Sequence, residues 1–315
     1  MEDENKIIIN KLPSKTWYWL RVNETSLPWD EEHETVLPEE NVEAGRQPLV
    51  RFSITGTKGY SRKQIHIHAE RGTETTVLMD YDGAGHLAVN TELTVEEGAA
   101  VRLIQLQHSK DASVIYNRVW GECADHARIQ LVQIYLGKGD IYSDTTINLS
   151  GKGSSYKSDI GYVGQQSHII DMNAVVNQIG KNTESEITVN GALRDASKKI
   201  FRGTIDFKTG AAGSVGNEQE TVLMLGEEVE NKTVPVILCS EENVVGNHGA
   251  TIGELDEETL FYFESRGIGK EQAEGIMARA GIDRLKPLIG DEDFEKMLDA
   301  ELGAGTEKST GLGEV

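Results

Sequence analysis

The sequence has few cysteines and prolines, and its charge is strongly one-sided. Its 315 residues include only two cysteines, Cys123 and Cys239, which excludes a disulfide framework and a tetra-cysteine metal site within one chain. The 52 acidic and 31 basic residues give a formal net charge of −21, which argues against partners such as nucleic acid or an anionic membrane. With 6 prolines and 33 glycines, most turns are expected to use glycine.

Long apolar stretches and an apolar leader are also missing. No run reaches the ~18 residues that a membrane-spanning helix needs. The first five residues, MEDEN, are acidic, whereas a signal peptide begins with basic residues and continues apolar. The composition therefore predicts a soluble, acidic, cytoplasmic protein.

Residues 1–45 are polar and are predicted to form an N-terminal arm. Three of the four tryptophans lie there, in the cluster Trp17, Tyr18, Trp19 and at Trp29. The arm either packs these rings onto the main body or presents them to a partner.

Residues 46–250 are predicted to form a core of short β-strands. Apolar and polar residues alternate in runs such as 64–68 and 127–135, which places one face of each strand inward. A sandwich, a barrel or a β-solenoid would fit. We favour the solenoid because the runs recur every ~10–12 residues without a helical pattern, and a solenoid accommodates any number of strands.

Residues 251–302 are predicted to form a small helical domain, followed by a disordered acidic tail at 303–315. Asp256 is the expected N-cap of the first helix, with acidic residues in its first turn. Each predicted helix stops at a glycine: Asp256 to Gly267, Lys270 to Ala280 before Gly281, and Asp291 to Leu302 before Gly303.

Three sets of side chains could bind a metal. His66 and His68 share one strand face and could bind with His86, although a polar strand face is the simpler interpretation. Cys123 and His126 could share a soft metal, or Cys123 could be buried and inert. Cys239 and His248 lie near the junction of the two domains, and two copies of each could supply four ligands to an iron–sulfur cluster, the alternative being core packing.

One segment is far more specific. NHGATIGELDEETLFYFESRGI, residues 247–268, closely resembles the C-terminal signature of the SufB/SufD family. Upstream segments match the family in order: GKNTES at 180–185, GALRDAS at 191–197, IFRGTI at 200–205, QETVLML at 219–225 and TVP at 233–235. The resemblance is strong over about 167–280 and weaker back to about 48.

The resemblance implies a right-handed parallel β-helix core with a helical C-terminal domain. It implies a scaffold of the Suf iron–sulfur cluster assembly machinery, not an enzyme, which pairs with itself or a SufB-like paralogue. It also implies docking of a SufC-like ABC ATPase and a transient [4Fe-4S] or [2Fe-2S] cluster. The expected ATPase-docking residues lie in the helical domain: Asp256, Leu260, Phe261, Tyr262, Arg266 and Ile268.

The sequence departs from the SufB pattern at its cysteines. Val229 and a position near Ile147 stand where SufB-type members have cysteine, and Asn247 and Gly249 replace the glutamates beside the family histidine, His248. The chain is therefore more similar to SufD. His248, Cys239 and Asn247 are the candidate cluster or iron ligands, with Cys123 and His126 as weaker candidates.

Two other functions stay open at this point. The chain could be a purely structural SufD-like partner that binds no metal, since cysteine is so sparse. More remotely, it could be a carbohydrate-active β-helix enzyme, which would need paired carboxylates and a basic residue on one solenoid face. That enzyme would leave the helical C-terminal signature unexplained.

Overall fold

The structure is a computed structural model that describes residues 5–45 and 48–304. Its first elements are strands β1 (Lys6–Ile9) and β2 (Thr25–Pro28), joined through a 3-10 turn (Tyr18–Leu20), then β3 (Thr35–Val36) and β4 (Glu40–Ala44). The core strands follow: β5 (Leu49–Thr55), β6 (Tyr60–Ala69), β7 (Glu74–Gly83), β8 (His86–Val95), β9 (Ala100–Ser109), β10 (Val114–Cys123), β11 (Arg128–Gly137), β12 (Asp140–Leu149), β13 (Ser155–Gly164), β14 (Ile169–Gln178), β15 (Glu184–Leu193), β16 (Lys198–Phe207), β17 (Ser214–Met224), β18 (Glu230–Cys239) and β19 (Val244–Glu254).

These strands form a parallel β-solenoid, as predicted. The front sheet holds β3, β4 and the even-numbered strands from β6 to β18; the back sheet holds the eight odd-numbered strands from β5 to β19. Each coil contributes one strand to each sheet, and every core pairing is parallel. The predicted spacing was too short: β9, β10 and β11 begin at Ala100, Val114 and Arg128. Most core strands are ten residues long, and only their central parts stand out as apolar runs.

Alternation decides which residues fill the space between the two sheets, the lumen. In β6, buried and partly exposed residues alternate along the whole strand. In β11, residues from Leu131 to Leu136 are all buried, because the outer face of that strand is also covered. This is why β11 has a nearly continuous apolar sequence.

The C-terminal helices cover the outer face of the back sheet. They are α1 (Glu257–Ser265), α2 (Lys270–Asp283), α3 (Lys286–Ile289) and α4 (Glu292–Ala304). The apolar contact surface joins strand residues to helix residues: Leu78, Ile104, Leu106, Val132, Ile134 and Leu136 pack with Ile282, Leu285, Ile289, Phe294, Leu298 and Leu302. The predicted stop at Gly281 was wrong, since α2 continues so that Ile282 reaches this surface.

The N-terminal arm lies on the front sheet. The β1–β2 hairpin and Trp29 pack on Ala88, Tyr116 and Tyr142 of the solenoid. Trp29 is buried, whereas Trp17, Tyr18 and Trp19 are exposed. The arm therefore packs Trp29 onto the solenoid and leaves the cluster of three aromatic residues in solvent.

The β-strand core leads into the C-terminal helices through a short link. The last core strand ends at Glu254 and α1 begins at Glu257. Gly303 and Ala304 are the last residues of α4, and the rest of the predicted tail, 305–315, lies outside the described residues.

Candidate functional site

The solenoid ends at two strands that are each paired on one side only within the described residues. β18 pairs with β16, and β19 pairs with β17. Residues of β18 are mostly half-buried and those of β19 mostly exposed, whereas β16 is largely buried and β17 alternates buried with exposed residues. We call this surface, residues 230–254, the open end.

His248 faces the lumen at the open end. It is in register with Glu218 on β17, whose side chain is buried in the lumen. Because side chains alternate along a strand, Gly246 and Ala250 share this face, and Asn247 points to the opposite one. The Asn247 side chain accordingly lies on the outer surface, where it donates a 2.9 Å hydrogen bond to Asn217 Oδ1.

Cys239 lies at the other end of the same lumenal opening. It is exposed, ends β18 in register with Phe207, and its thiol donates to the carbonyl oxygen of Glu241 at 3.0 Å. A side chain at Gly246 would contact Ile237, so these residues lie opposite each other across the lumen. Cys239 lies two residues beyond Ile237 along β18, and His248 lies two residues beyond Gly246 along β19, which runs in the opposite direction. The two side chains are therefore about four residues, or ~13 Å, apart along the strand direction.

The two weaker candidates do not converge. Cys123 is buried in the core, where burial raises the pKa of its thiol to about 12. His126 is exposed in the following turn, with its backbone in the left-handed region at φ 57°. The Cys123 side chain thus faces the lumen, whereas His126 lies on the exposed turn. Within residues 5–45 and 48–304, no three His, Cys, Asp or Glu side chains converge so as to hold a metal ion.

The histidines of β6 and β8, which are His66, His68 and His86, have partners other than a metal ion. His66 forms ion pairs with Glu39 and Glu92, and His68 with Glu43 and Glu96. His86 instead stacks on Tyr60, with ring centroids 4.4 Å apart. For His66 and His68, these carboxylate partners agree with the simpler interpretation, a polar strand face.

A buried charged cluster lies in the lumen directly behind the open end, and sequence reasoning missed it. Lys199 contacts Glu220, and neither side chain is exposed to solvent. Glu218 lies beside them, and its carboxyl group lies against Gly203, where a Cβ atom would collide with it. In this cluster, Glu220 Oε2 and the Tyr162 hydroxyl have no hydrogen-bond partner among the described residues. The E-x-E spacing of 218 and 220, both on the lumenal face of one strand, was the available signal.

Glu218 gives this cluster a pH dependence. Burial and the neighbouring Glu220 raise its pKa to about 8, with Lys199 opposing them. Because the folded state keeps this proton while the unfolded state loses it near pH 4.5, stability should fall as pH rises from about 4.5 to about 8. Glu218→Gln should remove much of that fall, on the order of 3 kcal/mol. Urea unfolding at several pH values measures it; parallel stability curves for the two proteins would contradict it.

The expected ATPase-docking residues lie on α1 and directly beside its two ends. Asp256 caps α1, accepting a 2.6 Å hydrogen bond from the Thr259 N–H. No residue of α1 is buried; Phe261 is 71% exposed and Tyr262 55%. The Arg266 guanidinium lies 4.9 Å from the Tyr262 ring centroid, and Leu260 and Ile268 are half-buried.

Comparison with known proteins assigns this arrangement to a family. The family model for "SUF system FeS cluster assembly, SufBD core domain" matches residues 52–281, which include most of the solenoid, α1 and most of α2. The chain belongs to the SufBD family. In this SufBD-family chain Ile147 is buried in the lumenal core and Val229 packs against that core, partly buried.

Curated relatives are similar over much of this SufBD-family chain. The iron–sulfur cluster assembly protein SufD of Bacillus subtilis is 28% identical over 169 residues, which cover 54% of this chain and 39% of the relative. A SufBD family protein of Mycobacterium leprae is 25% identical, covering 73% and 61%. SufD of Escherichia coli is 22% identical, covering 82% and 63%. The chain thus spans about two fifths to three fifths of the length of these relatives.

The helices of this SufBD-family chain are short. Over the part of the chain that the structure describes, none combines the length and the apolar character needed to cross a membrane.

Proposed function

We propose that this SufBD-family chain is a non-enzymatic scaffold subunit of a cytoplasmic Suf complex. Two chains, either two copies or this chain and a SufB-like paralogue, meet at their open ends. A SufC-like ABC ATPase docks on α1 and hydrolyses ATP. An iron–sulfur cluster is built between the chains as cargo and transferred to an acceptor.

The observation that carries this proposal is the open end. Two edge strands with free backbone hydrogen-bonding groups are suited to pairing with another chain. Val245 and Ile252 add apolar surface there, being 53% and 50% exposed. His248 lies on the lumenal side of this surface, so pairing would bring two imidazoles, and iron accepts imidazole ligands.

The exposed rings of α1 support the docking proposal. Large aromatic side chains dominate many protein interfaces, and Phe261, Tyr262 and Arg266 belong to the residue types enriched there. The Arg266 guanidinium makes a cation–π contact with the Tyr262 ring, so the two side chains form one surface. The solenoid and the other helices leave this helix without a buried residue.

Anaerobic reconstitution with iron and sulfide tests the cluster proposal. His248→Ala should reduce the bound cluster, read from visible absorbance, by at least about half, because a ligand is lost from each chain. Cys239→Ser should reduce it too if the thiol binds. His33→Ala is the matched control, since His33 is an exposed histidine on the arm. A cluster content unchanged in both variants would favour the second candidate, a structural SufD-like partner without metal.

A binding measurement with the cognate ATPase tests the docking proposal separately. Phe261→Ser together with Tyr262→Ser should weaken binding at least ~10-fold, since aromatic anchors carry much of an interface's energy. Val36→Ser is the control, because Val36 is as exposed but lies on β3 of the front sheet. Equal affinity in wild type and the α1 variant would remove α1 from the docking surface.

A further inference from the structure

The loop that joins β1 to β2 exposes three consecutive aromatic side chains. We call residues 11–23 the aromatic loop. Trp17, Tyr18 and Trp19 are 71%, 89% and 72% exposed, and the two indole rings stack with centroids 6.1 Å apart and planes 15° apart. Trp and Tyr at such exposure are unusual on a free surface and frequent in the centres of interfaces.

Hydrogen bonds hold the aromatic loop in one shape. The Asn23 side chain accepts from the Thr16 N–H at 2.6 Å and donates to the Thr16 carbonyl at 3.1 Å. The Leu12 N–H donates to the Asn23 carbonyl at 2.8 Å, which closes the base of the loop. An already ordered loop loses less conformational entropy when it binds.

The hairpin directs this loop toward the open end. Trp29, just after β2, lies against Tyr60 and His86, which begin β6 and β8. At the other end of the hairpin, Thr25 contacts Asp171 of β14 and Arg202 of β16. The hairpin therefore runs along the solenoid axis. The loop continues from the level of β14 and β16 toward the edge strand β18, and β14 and β18 are about 10 Å apart because they are two strand spacings from each other.

Charge indicates what the loop binds. It contains Lys11, Lys15 and Arg21 and no acidic residue, in a chain of net charge −21. No ion pair is formed by these three side chains within the described residues. A basic, aromatic loop beside the open end is complementary to a strongly acidic surface. A second copy of this chain carries the same net charge of −21, and pairing at the open ends would bring it beside this loop.

We propose that the aromatic loop clasps a second copy of this chain when two copies pair at their open ends. This inference rests on the dimer of the proposed function and adds a second contact to it. The two indoles and the Tyr18 ring lie against the partner, and the three cations reduce the repulsion between two acidic chains.

Sedimentation velocity on the full chain tests the clasp. Trp17→Ser with Trp19→Ser should raise the dimer dissociation constant at least ~10-fold. Val245→Asp with Ile252→Asp should give monomers, because carboxylates then lie between the paired open ends. Phe261→Ser, which removes a ring of equal exposure on α1, should leave the dimer unchanged.

Tryptophan emission adds a readout of position. On dimerisation, Trp17 and Trp19 should leave water and the emission should shift to shorter wavelength, whereas Trp29 is buried already. A dimer lost in the open-end variant but unaltered in the loop variant overturns the clasp alone. A wild-type chain that stays monomeric at its highest soluble concentration overturns both the clasp and the homodimer.

Discussion

Replacing Arg202 with methionine should lower the free energy of unfolding by about 3–5 kcal/mol. The Arg202 guanidinium is fully buried and donates to Asp171, to the Val22 carbonyl and to the Thr25 hydroxyl. Methionine fills similar space but leaves the Asp171 carboxylate buried without a cation. It also removes a tie between the arm and the solenoid. Urea unfolding, followed by circular dichroism, gives the change.

Two controls isolate the buried charge as the cause. Lys198→Met removes a cation from the same strand, but Lys198 is exposed and its pair with Glu230 is worth ~1 kcal/mol or less. Adding Asp171→Asn to Arg202→Met should restore much of the lost stability, because no unpaired carboxylate is then buried. If Arg202→Met and Lys198→Met are equally stable, the ion pair does not hold the arm.

The fold class could be predicted because it depends on local patterns. Alternation in β6 defines one buried face, and the segment 247–268 identifies the junction of solenoid and helices. The end of α2 could not be predicted in this way. Gly281 is a normal stop signal, but packing of Ile282 and Leu285 on the back sheet stabilises the helix beyond it.

The candidate site could be predicted only in part. The signature placed His248 at the end of the core, and strand alternation alone separates it from Asn247. Proximity of Cys239 to His248 in sequence suggested proximity in space, yet the turn between β18 and β19 directs them apart. Nothing in the sequence singles out Arg202 and Asp171, because their burial depends on an arm about 150 to 180 residues earlier in the chain.

Replacing Lys199 with methionine is expected to have an effect as large, about 3–5 kcal/mol near pH 8. The Lys199 ammonium is the cation that contacts Glu220 in the lumen, and both side chains are inaccessible to solvent. Without it, the Glu218 and Glu220 carboxyls face each other with no positive charge between them. The loss should shrink toward pH 5, because the Glu218 carboxyl, whose pKa is about 8, is then protonated and no longer repels Glu220. Urea unfolding at both pH values gives the comparison.

The neighbouring residue supplies the matched control. Lys198 and Lys199 are adjacent in β16 but face opposite sides, so Lys198→Met tests the loss of a lysine without the loss of a lumenal charge. Lys199→Met combined with Glu220→Gln should be more stable than Lys199→Met alone, because the uncompensated carboxylate is gone. A stability loss in Lys199→Met that is equal at pH 5 and pH 8 would instead point to packing. The Lys199 ammonium would then not be the group that makes the cluster behind the open end sensitive to pH.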